Sequence, residues 1–284
     1  MDLAVNLALS VRRLDTRPIA LLTNGEAHLS PEYISKFNTI LKLPHDASIR
    51  GAMNKARLFE FTPYRRTMYV DSDCLLFNPR IEFFWQKFRG QPFAVEGHRQ
   101  STGPVFACSL GEKDAAELCR RYNLAFLSVF NAGVMYFEKT DSAGRVFDRV
   151  LELYRSAERD TVSYRYKHEG EYADEPFFAV ALAELGIAPH ESALTHRLQV
   201  TTPNAIDGVF DLEVGDLRVV KCPPGGTANV WSGALCHFCG LSPMNVYFDL
   251  ADKLRQTAGL PLMDRTRFQP VVLSATHHQD AVHR

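Results

Sequence analysis

Thr67-Met68-Tyr69-Val70-Asp71-Ser72-Asp73-Cys74-Leu75 runs from β-branched and aromatic residues into two carboxylates one residue apart. The first four residues read as a central strand, so the acidic pair falls just beyond that strand's C-terminal end. In open α/β sheets this edge faces the crevice where ligands bind. Alternate residues of a continuing strand share a face but are held apart, so Asp71 and Asp73 can converge on one ligand only if the backbone turns there. Hard divalent ions such as Mg²⁺ and Mn²⁺ take oxygen ligands in roughly octahedral geometry, often completed by substrate phosphates. The pair is therefore a candidate half of a metal and diphosphate site. An Asp-x-Asp by itself is also an ordinary loop sequence.

Working upstream, Ala52 to Phe61 carries helix formers at apolar spacing and is stopped by Pro63. Leu3, Leu7, Val11 and Leu14 recur at helical spacing, which predicts an amphipathic helix. A short buried strand follows over Pro18 to Leu22 and ends at the turn signal Asn24-Gly25. A helix thus precedes the first strand, whereas a parallel α/β sheet normally opens on a strand. Downstream, Phe93 to Val95, Val134 to Phe137, Leu217 to Val220 and Ala234 to His237 read as strands. Glu175 to Leu185 and Met244 to Thr257 read as helices. The Gly-, Pro- and Asn-rich stretch from Thr202 to Gly233 predicts loops or a small irregular subregion. The end of the chain, Ser274 to Arg284, has three histidines and little apolar content, which predicts a flexible tail.

Composition narrows the function classes. The chain has 284 residues, of which 46% are hydrophobic, enough for a substantial core. Lys plus Arg number 32 against 33 for Asp plus Glu, a net charge of -1, so no long-range field draws the protein to nucleic acid or anionic lipid. No apolar run approaches the roughly 20 residues of a membrane-spanning helix. The acidic start Met1-Asp2-Leu3 lacks the pattern of a secretory signal, so the expectation is a soluble cytoplasmic protein. Six cysteines are too sparse for a disulfide scaffold. Cys236-His237-Phe238-Cys239 is a tight cluster, but a structural zinc site needs a second ligand pair and Cys222 alone does not supply one, so these cysteines are read as packing residues.

Four stretches carry a resemblance. Asn54-Lys55-Ala56-Arg57-Leu58 followed by Tyr69 to Leu75 resembles the helix, strand and DxD unit of nucleotide-sugar glycosyltransferases with the GT-A fold, especially glycosyltransferase family eight. Asn131-Ala132-Gly133-Val134-Met135 is similar to that family's N-[SA]-G-V strand entry. Asp174-Glu175-Pro176-Phe177-Phe178 resembles its D-[QE] helix start, and His237-Phe238-Cys239-Gly240 its late H-x-x-G motif. The four occur in the family's order from Lys55 to Gly240.

The resemblance implies an α/β, GT-A-like (Rossmann-like) mixed and mainly parallel sheet with flanking helices, lacking the first strand, in a single domain over residues 1–263 with a tail over 264–284. It implies transfer of a hexose from a nucleoside-diphosphate sugar, a UDP-sugar by family habit, to a hydroxyl of a glycan, glycoside or other acceptor, with retention of configuration. The implied metal is Mn²⁺ (or Mg²⁺), held by Asp71, Asp73 and His237. Lys55, Arg57, Asp71, Ser72, Asp73, Asn131, Ala132, Gly133 and Gly240 would line the donor site, and Asp174 and Glu175 would face the reacting carbon or the sugar hydroxyls. Each has a plainer reading. His237 is also a core histidine between cysteines, Asp174 a helix cap, Lys55 and Arg57 surface charges, and Asn131-Ala132-Gly133 a turn.

Two departures from the family pattern stand out. The lysine that follows H-x-x-G and holds the diphosphate is absent, since Leu241-Ser242-Pro243 keeps only a proline. The family's first strand, which cradles the nucleotide base, has no counterpart, leaving Asp2 to Asn6 and Thr23-Asn24 as the nearest candidates. The alternative expectation is therefore a GT-A-fold pseudoenzyme or binding protein, N-terminally shortened and catalytically impaired.

Overall fold

Arg66–Val70 forms the expected strand, and after a turn at Asp71 to Asp73 a second short strand follows at Cys74–Leu76. The computed structural model describes residues 1–23, 30–105, 113–165, 171–222 and 227–268; the turn signal at Asn24-Gly25 and the chain beyond residue 268 lie outside them. Arg66–Val70 pairs antiparallel with Val134–Glu138, whose other edge pairs antiparallel with Phe93–Ala94. Cys74–Leu76 pairs antiparallel with Gly233–His237, which runs parallel to Arg197–Thr201. The acidic turn is thus the point where the chain passes from one three-stranded sheet to the next.

The protein is mixed α/β, built from several small sheets among helices. Among the described residues two ladders are parallel, Ala20–Thr23 with Thr39–Lys42 and Arg197–Thr201 with Gly233–His237, and the other ladders are antiparallel. The pairing therefore differs from the mainly parallel sheet expected. Strand direction depends on how the chain returns to the sheet, and a strand's own residues do not encode it. A second difference lies in Thr202 to Gly233. Half of this stretch is an antiparallel sheet of Ala205–Asp211, Asp216–Lys221 and Asn229–Trp231. Gly215, at φ +71°, makes the turn between the first two strands, so turn residues here punctuate strands instead of replacing them.

Side chains opposite one another on a ladder share a face. Cys74 is opposite His237, and Leu75 is opposite Cys236. Leu75, Phe77, Cys236 and Phe238 enter one core with the helix Met244–Thr257. Cys74, Leu76 and Leu235 enter another with Phe84 and Phe88 of the helix Ile81–Phe88. The Cys236 and Cys239 pair read from sequence as one cluster is split, since Cys236 points away from the face that carries His237.

The first helix, Asp2–Arg12, covers the edge of this sheet. Val5 and Leu9 pack into the core beneath, and the Leu76 backbone N–H donates to Ser10 Oγ at 2.9 Å. That contact satisfies a strand donor that has no ladder partner on that side. The fully buried Arg255 anchors the helix from the opposite end of the chain, donating to Asp2 Oδ1 at 2.6 Å, Asn6 Oδ1 at 3.0 Å and the Pro261 carbonyl at 3.1 Å.

The helix expected over Ala52 to Phe61 is a 3-10 turn at Gly51–Arg57 followed by one α-turn at Leu58–Phe61. Asn54 donates its side-chain amide to the Gly51 carbonyl, a local bond that competes with α-helical pairing. The third core holds Phe93, Phe137, Phe147 and Phe178 between the helices Asp141–Arg155 and Glu175–Glu184. Full burial of one such ring contributes about 2–3 kcal/mol. Among the described residues no helix is long and apolar enough to cross a membrane.

Candidate functional site

The turn that carries the acidic pair is pinned on both sides. Asp71 N–H donates to the Gly133 carbonyl at 2.8 Å, Cys74 N–H to the Asp71 carbonyl at 3.0 Å, and Phe238 N–H to the Asp73 carbonyl at 3.1 Å. These bonds bring three distant stretches, 71–74, 131–133 and 237–238, to one point. His237, 7% exposed, sets its Nε2 3.1 Å from Asp73 Oδ1 and 3.8 Å from Asp71 Oδ2.

The orientation of that ring is determined by Asn131. The Asn131 amide nitrogen donates to Glu175 Oε1 at 3.0 Å, and its Oδ1 accepts from Gly133 N–H at 3.0 Å, so Oδ1 is an acceptor. His237 Nδ1 lies 2.8 Å from the same Oδ1 and must therefore be the N–H donor. In the neutral ring, Nε2 then carries a lone pair aimed at two carboxylates. Such an arrangement is stable when a cation lies between them or when Nε2 gains a proton. Burial disfavours the imidazolium, but the bond to Asp73 outweighs it and holds the histidine well above its usual range. A buried imidazole with its far nitrogen fixed by an amide and its near nitrogen on carboxylates is an arrangement that could hold a divalent ion.

Lys55 joins the acidic turn to Asp174. Its ammonium is 2.9 Å from Asp71 Oδ2, 3.1 Å from Asp174 Oδ2 and 3.2 Å from the Ala132 carbonyl, and it lies over the Tyr69 ring. The first and third contacts are hydrogen bonds and the second is an ion pair, since Asp174 Oδ2 is buried without a hydrogen-bond partner. Desolvation opposes the charge, yet Asp174 and Asp71 keep the lysine well above its ordinary value. Asp71 feels the same balance: desolvation raises its carboxyl, but Lys55 and His237 hold it below the usual range. Tyr69 donates its hydroxyl to Asp71 Oδ1.

Asp174 is 3% exposed and makes no side-chain cap on the helix it precedes, so capping does not explain it. Desolvation, countered by Lys55, leaves its carboxyl raised. Glu175 Oε1 accepts from Asn131 and from Ala132 N–H at 3.1 Å. Desolvation, with the Asp174 charge beside it, pushes Glu175 up to about 7.

Of the residues selected from sequence, the structure thus joins Lys55, Asp71, Asp73, Asn131, Ala132, Gly133, Asp174, Glu175 and His237 in one connected network. Ser72 is exposed at the tip of the turn, and Gly240, at φ +63°, is exposed three residues past His237. Arg57 is not part of it: its guanidinium donates to the Pro44 carbonyl at 2.8 Å and lies over Phe61. Lys55 and Arg57 are two residues apart on a helical turn and cannot face the same way.

Sequence reading missed Tyr69, Cys74 and Gln199, whose amide donates to the Asn131 carbonyl at 2.8 Å. Tyr69 was accessible as the strand neighbour two residues before Asp71, on the same face. Cys74 and Gln199 enter only through strand pairing. Asp73, Cys74 and His237 together present an oxygen, a sulfur and a nitrogen within 4.8 Å of one another. No protein-family model matches the chain, and a search of curated proteins returns no match.

Proposed function

We propose that the protein is a metal-dependent glycosyltransferase that moves a sugar from a nucleoside-diphosphate donor, a UDP-sugar by resemblance to glycosyltransferase family eight, to a hydroxyl acceptor with retention. On this reading residues 1–263 are one GT-A-like domain. The observation that carries it is the meeting of four separated sequence motifs at one point, with His237 Nε2 facing both Asp73 and Asp71. The donor set fits Mn²⁺ or Mg²⁺: each carboxylate oxygen has a lone pair left beyond its protein donor, and the imidazole faces them with its far nitrogen fixed.

When bound, the ion supplies Lewis-acid stabilisation of charge on the departing nucleoside diphosphate. The chain's own residues do the rest. Asn131 holds the ring of His237 and, through Glu175, the start of the following helix. Glu175, ionising near neutrality, is suited to exchange a proton with a sugar or acceptor hydroxyl. Asp174 is the carboxylate available beside the reacting carbon for double displacement, but its pairing to Lys55 weakens it as a nucleophile, which favours the front-face route. Calorimetry with UDP and Mn²⁺ tests the reading: binding that depends on Mn²⁺ and is lost in Asp71→Ala and Asp73→Ala supports it, and absence of UDP binding overturns it.

A second reading, a GT-A-type binding protein without transfer activity, draws on a specific observation. Both cations nominated for the diphosphate are engaged elsewhere, Lys55 by Asp71, the Ala132 carbonyl and the Asp174 carboxylate, and Arg57 by Pro44. Mn²⁺-dependent UDP binding with neither hydrolysis nor transfer across a panel of UDP-sugars and acceptors would favour it.

A further inference from the structure

The hard donor set described above shares its histidine with a softer one. On the ladder between Cys74–Leu76 and Gly233–His237, Cys74 stands directly opposite His237, so the thiol and the imidazole project from the same face. The Cys74 sulfur, an Asp73 oxygen and a His237 nitrogen lie within 4.8 Å of one another, and Cys74 is completely buried. The thiol of Cys239 lies close enough to the same imidazole to act on its charge. Ligand atoms around a tetrahedral ion with bonds of about 2.0 to 2.3 Å are roughly 3.5 Å apart. His237 Nε2 and Asp73 Oδ1 already approach to 3.1 Å, so modest side-chain rotation closes the rest. Asp71 is held away from this group by Lys55 and Tyr69, which take one oxygen each.

We propose that Asp73, Cys74 and His237 form a second, thiolate-containing metal site for a borderline-soft divalent ion of the Zn²⁺ class, with Cys239 or water as the fourth ligand. The site shares Asp73 and His237 with the oxygen-rich set, so the two are mutually exclusive. A Zn²⁺-class ion therefore displaces Mn²⁺ and occupies the centre in a form that does not involve Asp71. Thiolates select such ions over Mn²⁺ and Mg²⁺, which prefer oxygen. On binding, the Cys74 S–H bond breaks, the sulfur keeps the electron pair and donates it to the metal, and the proton leaves to solvent. The site does not depend on the glycosyltransferase reading, although it shares two ligands with it.

The test uses the full chain, reduced with a phosphine and stripped of metal, titrated with Co²⁺ as a spectroscopic stand-in for Zn²⁺. A near-ultraviolet thiolate-to-cobalt charge-transfer band saturating at one ion per chain is expected, together with its loss on adding Zn²⁺. Cys74→Ser should at least halve the band, Cys74→Ser with Cys239→Ser should abolish it, and Zn²⁺ binding should weaken roughly ten-fold or more. Cys119→Ser, a cysteine remote from the turn, should leave both unchanged. Spin resonance of Mn²⁺ should report release of bound Mn²⁺ by Zn²⁺, and Asp71→Asn should weaken Mn²⁺ while leaving the cobalt band intact. Co²⁺ binding to the wild-type chain without the band overturns the proposal, whatever the folding of the variants, as does a band that is undiminished in Cys74→Ser. Mn²⁺ that binds while the band is absent leaves the oxygen-rich set standing, and a band without Mn²⁺ binding does the reverse.

Discussion

Gly133 stands where the ring of His237 leaves no room for a side chain. A Cβ at this position would lie 2.7 Å from His237 Cε1, closer still to Nδ1, and 2.8 Å from Asn131 Oδ1. None of these atoms can yield without breaking the His237 and Asn131 hydrogen bond. Gly133→Ala should therefore destabilise the fold by about 1–3 kcal/mol, in the range of an overpacked core. Urea unfolding measures this loss, and Mn²⁺ titration should show weaker binding in the folded variant.

Asn131→Ala removes the acceptor that holds His237 Nδ1. Outer partners of this kind typically change metal affinity by 10–100-fold. The expected outcome is a loss of that size in Mn²⁺ affinity, read by calorimetry, with a smaller effect on the melting temperature than Gly133→Ala.

Lys55 lies between two carboxylates, Asp71 and Asp174, with only 13% of its side chain exposed. Lys55→Met leaves Asp174 without its cation and Asp71 with His237 alone, and should cost about 3–5 kcal/mol. Adding Asp174→Asn removes the stranded charge. The double variant should therefore be more stable than the sum of the single changes predicts, which denaturant midpoints can check.

Glu175 titrates near 7 in the folded chain against an ordinary value of 4.5. A raised acid favours the folded state in its protonated form. Its contribution is therefore fully present below 4.5 and is lost as pH rises through about 7. Asp174, Lys55 and His237 act on its charge, so the comparison is with Glu175→Gln, which leaves those groups in place. The melting temperature of the wild type relative to Glu175→Gln should fall across this window, and a difference that stays flat with pH would contradict it.

The acidic turn was legible because four strand-forming residues precede it and because the Asn131, Asp174 and His237 motifs follow in a recognisable order. The fold brings these motifs together in one network. What the residues did not encode was direction. Sequence could not say that Val134–Glu138 runs antiparallel to Arg66–Val70, since either direction buries the same faces. Nor could it say which of Lys55 and Arg57 faces the turn, since their spacing only forbids both. The helix Asp141–Arg155 was open to sequence reading, with Thr140 as its cap and Val146, Phe147, Val150, Leu153 and Tyr154 at helical spacing. Cys74 was hidden because its role depends on the residue opposite it, a pairing 163 positions away in sequence.

That pairing has a genetic consequence. The ladder that sets Cys74 against His237 has three pairs and is fastened at its ends by Phe77 N–H to the Ala234 carbonyl and Phe238 N–H to the Asp73 carbonyl. Side chains alternate along it, so a slip of one residue would turn His237 into the core and bring Cys236 or Phe238, by its direction, to the acidic turn. A single-codon insertion or deletion in the segment before Gly233 that is passed on as such a slip would thus rewrite the chemistry of the centre while leaving the codons of Asp71, Asp73, Cys74 and His237 unchanged.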